Sequence, residues 1–310
     1  MVKHQTDQST FETPSVLLIY KKSKYDLYFN DRKNEHYKKL SEEGHVSVDT
    51  LKKAHGEHQR AVEDVKVALK SAGVDFIVRY RAHVKAADVE NRWVVTVGGD
   101  GTLLDAASRL KDNPIFGVNS DTQHSVGFFC AAHRENFMSV FRRALSRELL
   151  PTPMIRMQAE LDGQILKPIL NDILVANDNP AATARFVVEH KGQSVTFKSS
   201  GAWVSTPAGS TAAMRSAGGR VQTLDDKTLQ FKVREAYWPA RKIEEKEHFF
   251  VDHGQSVRVE SRMRKGSIFL DGPHRRYAFP TGASLVLKAS ESPLNLFSTD
   301  EMRDRRRALM

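Results

Sequence analysis

Val94-Val95-Thr96-Val97-Gly98-Gly99-Asp100-Gly101-Thr102-Leu103-Leu104 changes character twice within one short run. A β-branched stretch ends in two glycines, an aspartate and a third glycine follow, and a threonine opens an apolar segment of helical period. The pattern predicts a strand, an anion-binding turn and a helix. Glycines let backbone N–H groups approach an anion closely, and the helix N-terminus adds a favourable dipole. Asp100 is the odd residue, because a carboxylate repels a phosphate placed beside it. Two readings stand: an N-cap aspartate in a glycine-rich βα turn, or a carboxylate placed for chemistry or for a metal.

The flanks of this run set the fold class. Ser15–Tyr20 is continuously apolar and suits a buried parallel strand. A lysine- and tyrosine-rich loop follows from Lys21 to Tyr28. Val62, Val65, Leu69 and Ala72 then share one face of a helix over 57–72, with Gly73 placed to end it. Phe76–Val78, Trp93–Val97 and Pro114–Asn119 are further strands, and Leu103, Leu104, Ala107 and Leu110 form a helical stripe. Strands alternating with helices predict a parallel α/β sheet. Ligands bind such sheets beyond the carboxyl ends of the strands, where Gly98–Thr102 and Asn119–Asp121 both fall.

Phe137, Phe141, Leu145 and Leu149 form one more helical face, and the style changes at Pro151 and Pro153. Ile155, Met157, Ala159 and Leu161 alternate with polar residues before an Asp162-Gly163 turn, and Ile165 resumes the strand. The segments 183–189, 194–197, 256–260, 267–270 and 284–287 alternate in the same way, with Lys191-Gly192 as another turn. The second half therefore reads as antiparallel β, with the boundary near residues 125–150. No internal repeat is present.

Composition narrows the partners. The 310 residues are 40% hydrophobic and 27% charged, enough for two ordinary domains. No apolar run approaches the ~18 residues of a membrane span. One cysteine, Cys130, allows neither an intrachain disulfide nor a cysteine metal site, which suits a cytoplasmic setting. The formal charge of +9 favours anionic partners. Part of the excess is Arg303, Arg305, Arg306 and Arg307, which read as a fraying end. No basic helix interleaved with aromatics appears, so neither nucleic acid nor membrane is expected. His124, His133, His253 and His274 lack metal-ligand spacing; His124 follows Asn119–Asp121 and reads as a surface or cleft residue.

Two later stretches stand out from the β background. Asn171-Asp172 adjoins an apolar run, so it marks either a strand mouth able to grip a ribose diol or a β-turn. Ser205-Thr206-Pro207-Ala208-Gly209-Ser210-Thr211-Ala212-Ala213-Met214-Arg215-Ser216-Ala217-Gly218-Gly219 holds small residues and hydroxyls. It reads as a turn entering a short helix, either against a ligand or as a tightly packed interdomain element. No Gly-X-Ser-X-Gly elbow surrounds Ser210, which excludes that serine-hydrolase arrangement.

Val97–Leu104, Gly117-Val118-Asn119-Ser120, Leu170-Asn171-Asp172, Ser205–Ala212 and Ser216–Gly219, with Leu270-Asp271-Gly272 later, resemble the NAD kinase family in the family's own order. The resemblance runs from about residue 93 to 297. It implies an N-terminal Rossmann-like parallel α/β domain and a C-terminal β-sandwich domain, with the last segment returning to the first domain. The divisions expected are a disordered lead-in over 1–14, the α/β domain over 15–130 with about 285–300 returning to it, the β-rich dinucleotide-binding domain over 131–284, and a basic tail over 301–310.

The resemblance also implies phosphorylation of the adenosine 2′-hydroxyl of NAD or NADH, with ATP as co-substrate and Mg²⁺ or another divalent cation. By the same token Asp100 is the catalytic residue and Gly98, Gly99, Gly101 and Thr102 form the phosphate turn. Asn119, Asn171, Asp172, Lys198, Thr211, Ala212 and Ser216 would bind NAD(H), no metal ligand is assigned, and a homodimer or homotetramer is implied. Three departures stand out. Asp172 occupies a position that is often glutamate, Ala213 one that is often tyrosine, and Ser200 one that is often acidic, with Lys198 where arginine is common. They are similar to the plant and eukaryotic NADH kinase branch. A lipid kinase of the diacylglycerol or sphingosine type, or a nucleotide sensor without catalysis, are the competing readings of the glycine turn.

Overall fold

The computed structural model describes residues 13–237 and 244–310, so the expected lead-in lies outside the described residues apart from Thr13 and Pro14. The leading apolar run becomes β1 (Val16–Tyr20), buried along almost its whole length because it is flanked on both edges. It runs parallel to β2 (Phe76–Tyr80) on one side and β3 (Trp93–Gly98) on the other. β4 (Ile115–Asn119) lies beyond β3, with Asn119 in register with Gly98. The order β2-β1-β3-β4 reverses direction between β1 and β3. That gap is where ligands settle in open parallel sheets, and the Gly98-Gly99 turn ends there.

The expected helix over 57–72 extends over Val46–Ser71, its first turns being too polar to show the period. Gly73 takes φ +68° beyond it, and the Val74 N–H reaches back to the Leu69 carbonyl at 3.1 Å, as a left-handed helix end requires. The expected loop at 21–28 leads into a π-helical turn, Asp26–Asp31, and a helix, Glu35–Glu42.

Three expected divisions are corrected. Residues 131–154 belong with the first domain: Cys130–His133 pairs with β4, and Pro151–Met154 is an edge strand of the same seven-stranded sheet. The intervening helix Phe137–Leu145 stays there because Phe137 and Phe141 pack on Phe116 in the first core. Of the expected return, Ser284–Ala289 remains in the β domain, and only Leu294–Phe297 crosses back, between β4 and Pro151–Met154. The basic end is helical over Asp300–Arg307, with Thr299 as its cap and Met302 and Arg306 buried.

The β domain consists of two six-stranded antiparallel sheets that share one hydrophobic core. One sheet contributes Phe186, Val257 and Leu285, the other Val175, Val204, Phe231 and Ile268. Asp162-Gly163 and Lys191-Gly192 take positive φ at both residues, the conformation that joins tight antiparallel hairpins. Among the described residues no helix is long and apolar enough to cross a membrane.

Candidate active site

Gly99 is the N-cap of the helix Asp100–Ala107 and Asp100 is its first residue, which overturns the N-cap reading of Asp100. The carboxylate reaches instead to a sequence-distant loop. Its Oδ1 accepts from the Phe129 N–H at 2.9 Å and its Oδ2 from the Phe128 N–H at 3.0 Å. Burial raises this carboxyl above the ordinary range, opposed by the two N–H donors and by the charges of Arg305 and Arg306. Each oxygen keeps acceptor capacity for a further proton donor.

The glycines divide by cause. A Cβ on Gly98 would lie 2.2 Å from Thr102 Oγ1, and one on Gly99 would lie 2.9 Å from Ser125 Oγ. The turn itself therefore demands Gly98, whereas at Gly99 the close atom is the end of a serine side chain that can rotate away. A Cβ on Gly101 would meet nothing within 4 Å, and its backbone is not left-handed. The protein alone has no need of a glycine there, and the open face belongs to the helix N-terminus.

Asn119 uses its amide within the protein. Nδ2 donates to the Ser125 carbonyl at 2.8 Å and Oδ1 accepts from the Asp121 N–H at 3.1 Å. Asn119 thereby shapes the 120–127 loop and lines a cavity of about 530 Å³ together with Asp121, Gly127, Cys130, Arg134 and Arg305. Burial, and then the Asp100 charge, push the Cys130 thiol up, so it stays protonated. Behind Ser120 lies His58, a residue that sequence reasoning missed. Its Nε2 must donate to the Lys21 carbonyl at 2.6 Å, so its Nδ1 accepts from Ser120 Oγ at 2.9 Å. Burial pulls His58 down to about 4, keeping it neutral. His124 is an exposed partner of Asp121 at 2.9 Å.

The second motif pair meets at the domain junction. Asp271 accepts from the Leu170, Asn171 and Asp172 N–H groups at 3.1, 2.6 and 3.3 Å and pairs with Arg275 at 3.1 Å. This clamp orients the mouth of the strand Asp172–Asn177. The Asp172 carboxylate has no such donors among the described residues, and burial followed by the charge of Asp271 pushes it up to about 7. Strand Gly201–Ser205 sets Ser205 beside Asp172. Thr206 then donates through its hydroxyl to the Leu170 carbonyl and through its N–H to the Asn171 carbonyl at 3.0 Å. A Cβ on Gly209 would lie 2.1 Å from the Asn171 carbonyl, so only glycine lets these two backbones touch. Leu170 and Ala208 pack into the core of the first domain.

Arg306 holds the same turn from the other side. Its guanidinium donates to the carbonyls of Pro207, Ala208 and Gln222 at 2.6, 3.0 and 3.1 Å and to Ser210 Oγ at 3.2 Å. Burial pulls it down to about 10, so it remains a cation at neutral pH. The signal was present in the sequence: Thr299-Asp300-Glu301 is a helix start, and Met302 and Arg306 are one helical turn apart.

The remaining expected residues are scattered more widely. Thr211 and Ala212 are half-buried at the end of the turn, and Ser216 is exposed on the short helix that follows. Lys198 is not gathered with them. It is exposed over the Tyr237 ring at 4.7 Å, preceding the strand whose opposite end carries Ser205. Thr102 Oγ1, Asn171 Oδ1 and Ser205 Oγ are buried without a hydrogen-bond partner among the described residues. Buried polar atoms rarely go unpaired, and all three lie in the two motif regions. Among the described residues no cluster of three or more His, Cys, Asp or Glu side chains is arranged to hold a metal.

Comparison with known proteins gives a concordant set. Residues 2–149 match the ATP-NAD kinase N-terminal domain. The chain is 32% identical over 260 residues to a probable NADH kinase of Oryza sativa subsp. japonica, covering 76% of this chain and 80% of that one. It is 35% identical over 236 residues to an NADH kinase of Arabidopsis thaliana, covering 66% and 72%. An NAD kinase from Archaeoglobus fulgidus, solved in complex with ATP, superposes with a TM-score of 0.69 at 20% identity, over 95% of this chain and all of that one.

Proposed function

The chain belongs to the NAD kinase family and is an ATP-dependent NAD(H) kinase, and from that premise we propose how its residues divide the work. The γ-phosphoryl group of ATP passes to the adenosine 2′-hydroxyl of the dinucleotide. Asn171 and Asp172 hold the ribose, and Thr211, Ala212 and Ser216 line the dinucleotide's path. Asp100 accepts the hydroxyl proton as the new P–O bond forms and the bond to ADP breaks. The observation that carries this division is the Asp100 carboxylate at the end of the Gly98-Gly99 turn, buried and held by the Phe128 and Phe129 N–H groups.

Geometry favours a base over a binder at position 100. The Phe128 and Phe129 N–H groups fix the plane of the carboxylate, and burial raises its proton affinity. A loose phosphoryl-transfer transition state needs the proton removed late, so positioning carries most of the catalysis. The donor set fits a divalent ion that enters on ATP rather than one caged by the protein. Bound there, Mg²⁺ would neutralise phosphate charge.

NADH is the acceptor we infer, on the strength of Ala213 and the likeness to the two plant proteins. A homodimer or homotetramer in the cytoplasm completes the proposal. Purified protein with Mg²⁺-ATP, assayed on NAD and NADH side by side, tests it. Turnover of neither, or of NAD alone, overturns the corresponding part.

Gly101→Ala separates binding from folding. Removing a glycine from a helix adds about 0.5–1 kcal/mol of stability, while the new methyl occupies the face offered to phosphate. The variant should melt no lower than the parent and show a KM for ATP raised about tenfold, the equivalent of one lost hydrogen bond. An unchanged KM in steady-state assays removes Gly101 from the phosphate turn.

Asp172 predicts a pH dependence. Ribose hydroxyls donate to the ionised carboxylate, so binding expels its proton. Dinucleotide affinity should rise with pH and level off above the free value of about 7, being about tenfold weaker at pH 6 than at the plateau. The sign for folding is opposite. A raised carboxyl stabilises fully below its unfolded value of ~3.9, and that stability is lost as pH rises through about 7. Titration of NADH fluorescence at several pH values checks the first effect, and Asp172→Asn should flatten it.

A further inference from the structure

We propose that Arg305 is a phosphate-binding residue of this site, carried in by the last helix to grip a nucleotide phosphate near the Gly98–Thr102 turn. The proposal rests on the kinase reading above and adds a residue to it. Arg305 is half-buried and lines the cavity of about 530 Å³ beside Asn119, Gly127 and Cys130. Its Nη1 donates to the Val126 carbonyl at 3.0 Å, and its buried Nε has no partner among the described residues. A guanidinium is a rigid fork of donors, and one that lines an open cavity while making a single bond to a backbone carbonyl keeps donor capacity for an oxyanion.

Glu57, Asp121, Glu135 and Glu301 also line the cavity, so an anion held there depends on a cation that is not already paired. Arg134, the other arginine lining it, lies 3.5 Å from both Glu57 and Asp64. On the last helix Arg307 pairs with Asp304 at 2.7 Å, and Arg303 donates to Thr152 at 2.8 Å. Arg305 has no ion pair among the described residues. Its charge nevertheless bears on Asp100, which places the guanidinium in the electrostatic neighbourhood of the proposed base.

The helix is also held firmly enough to aim a side chain. Arg306 anchors it to the Pro207–Ser210 turn, and Met302 is buried in the first core. The Val126 contact ties Arg305 to the same loop whose next residues, Phe128 and Phe129, grip Asp100. One short helix thus touches both the loop that grips Asp100 and the turn that precedes the proposed dinucleotide segment.

Arg305→Ala and Arg305→Lys in the full chain test the assignment. Calorimetry with inorganic tripolyphosphate should show affinity lowered about tenfold or more in the alanine variant, the scale of a lost charge-assisted bond. Its kcat/KM should fall about 100-fold, short of the largest arginine effects in phosphoryl transfer, and added guanidinium should restore part of it. A selective rise in KM for ATP identifies the triphosphate as the group held, and a selective rise in KM for NADH identifies the dinucleotide's pyrophosphate. Unchanged tripolyphosphate affinity with unchanged kinetics overturns the proposal. So does lost activity with a lowered melting temperature, unchanged tripolyphosphate affinity and no guanidinium rescue, which is the signature of a clasp on Val126 alone. A wild-type protein inactive on both NAD and NADH would instead remove the kinase reading, while the tripolyphosphate measurement would still decide Arg305.

Discussion

Asp100→Asn should lower kcat by about 10²–10⁴, the range of a positioned general base, while NADH still binds. The structure adds a second effect. Asparagine offers one oxygen where aspartate offers two, so its NH2 group must face the N–H of Phe128 or Phe129. Two opposed buried donors cost about 1–3 kcal/mol, and the 127–129 loop should loosen accordingly. Relief of the carboxylate's own burial offsets part of that cost. The catalytic loss should therefore exceed what the change in stability explains. The acid limb of the wild-type pH–rate profile should also lie above the ordinary aspartate value of ~3.9, because burial raises this carboxyl. Single-turnover rates with NADH binding measured on the same samples check both effects. Activity within tenfold of wild type would remove Asp100 as the base.

Arg306→Ala carries the largest expected effect on stability. It deletes four hydrogen bonds and leaves the Pro207, Ala208 and Gln222 carbonyls facing a void in a buried place. Such a site costs about 3 kcal/mol or more. The segment that follows, from Thr211 to Ser216, loses its support, so the KM for the dinucleotide should rise along with the loss of stability. Arg306→Lys keeps the charge but not the fork and should fall between the two. Denaturant titrations with parallel NADH binding provide the measurement. Parent-like stability in the alanine variant would mean that the turn does not depend on this side chain.

The two variants mark the border of what the sequence discloses. The Gly98–Thr102 turn is legible because its strand, glycines and helix are neighbours in the chain. Asn171-Asp172 and the Thr206–Ser210 turn stand out as polar interruptions of apolar alternation, and their small residues report close approach, which the contact of Gly209 with the Asn171 carbonyl explains. Residues whose partners are far away in sequence are silent. Asp271 serves N–H groups about a hundred positions earlier, and Asp100 serves two backbone groups nearly thirty positions later. His58 reads as one more polar residue until β4 brings Ser120 to it. Arg306 misleads outright, because a run of arginines resembles a solvated end and only the spacing from Met302 hints at burial. The boundary near 130 fails for a related reason. Phe137–Leu145 looks like the first element of something new, but its aromatic face belongs to Phe116, and Phe297 reaches the same ring from the strand that re-enters the first sheet after the β domain.

The crossing between domains has a mechanical side. The chain leaves the seven-stranded sheet at Met154 and re-enters it at Leu294, and these two residues are paired neighbours. A body hung from one linker can swivel about any axis. One hung from two adjacent strands locked in a ladder keeps a single easy axis, lying across both. Arg156 bolts one flank of that suspension, donating to the Leu110 carbonyl at 2.6 Å and the Ser292 carbonyl at 2.9 Å. Arg306 bolts another. The β domain is thus suspended like a jaw rather than a pendulum.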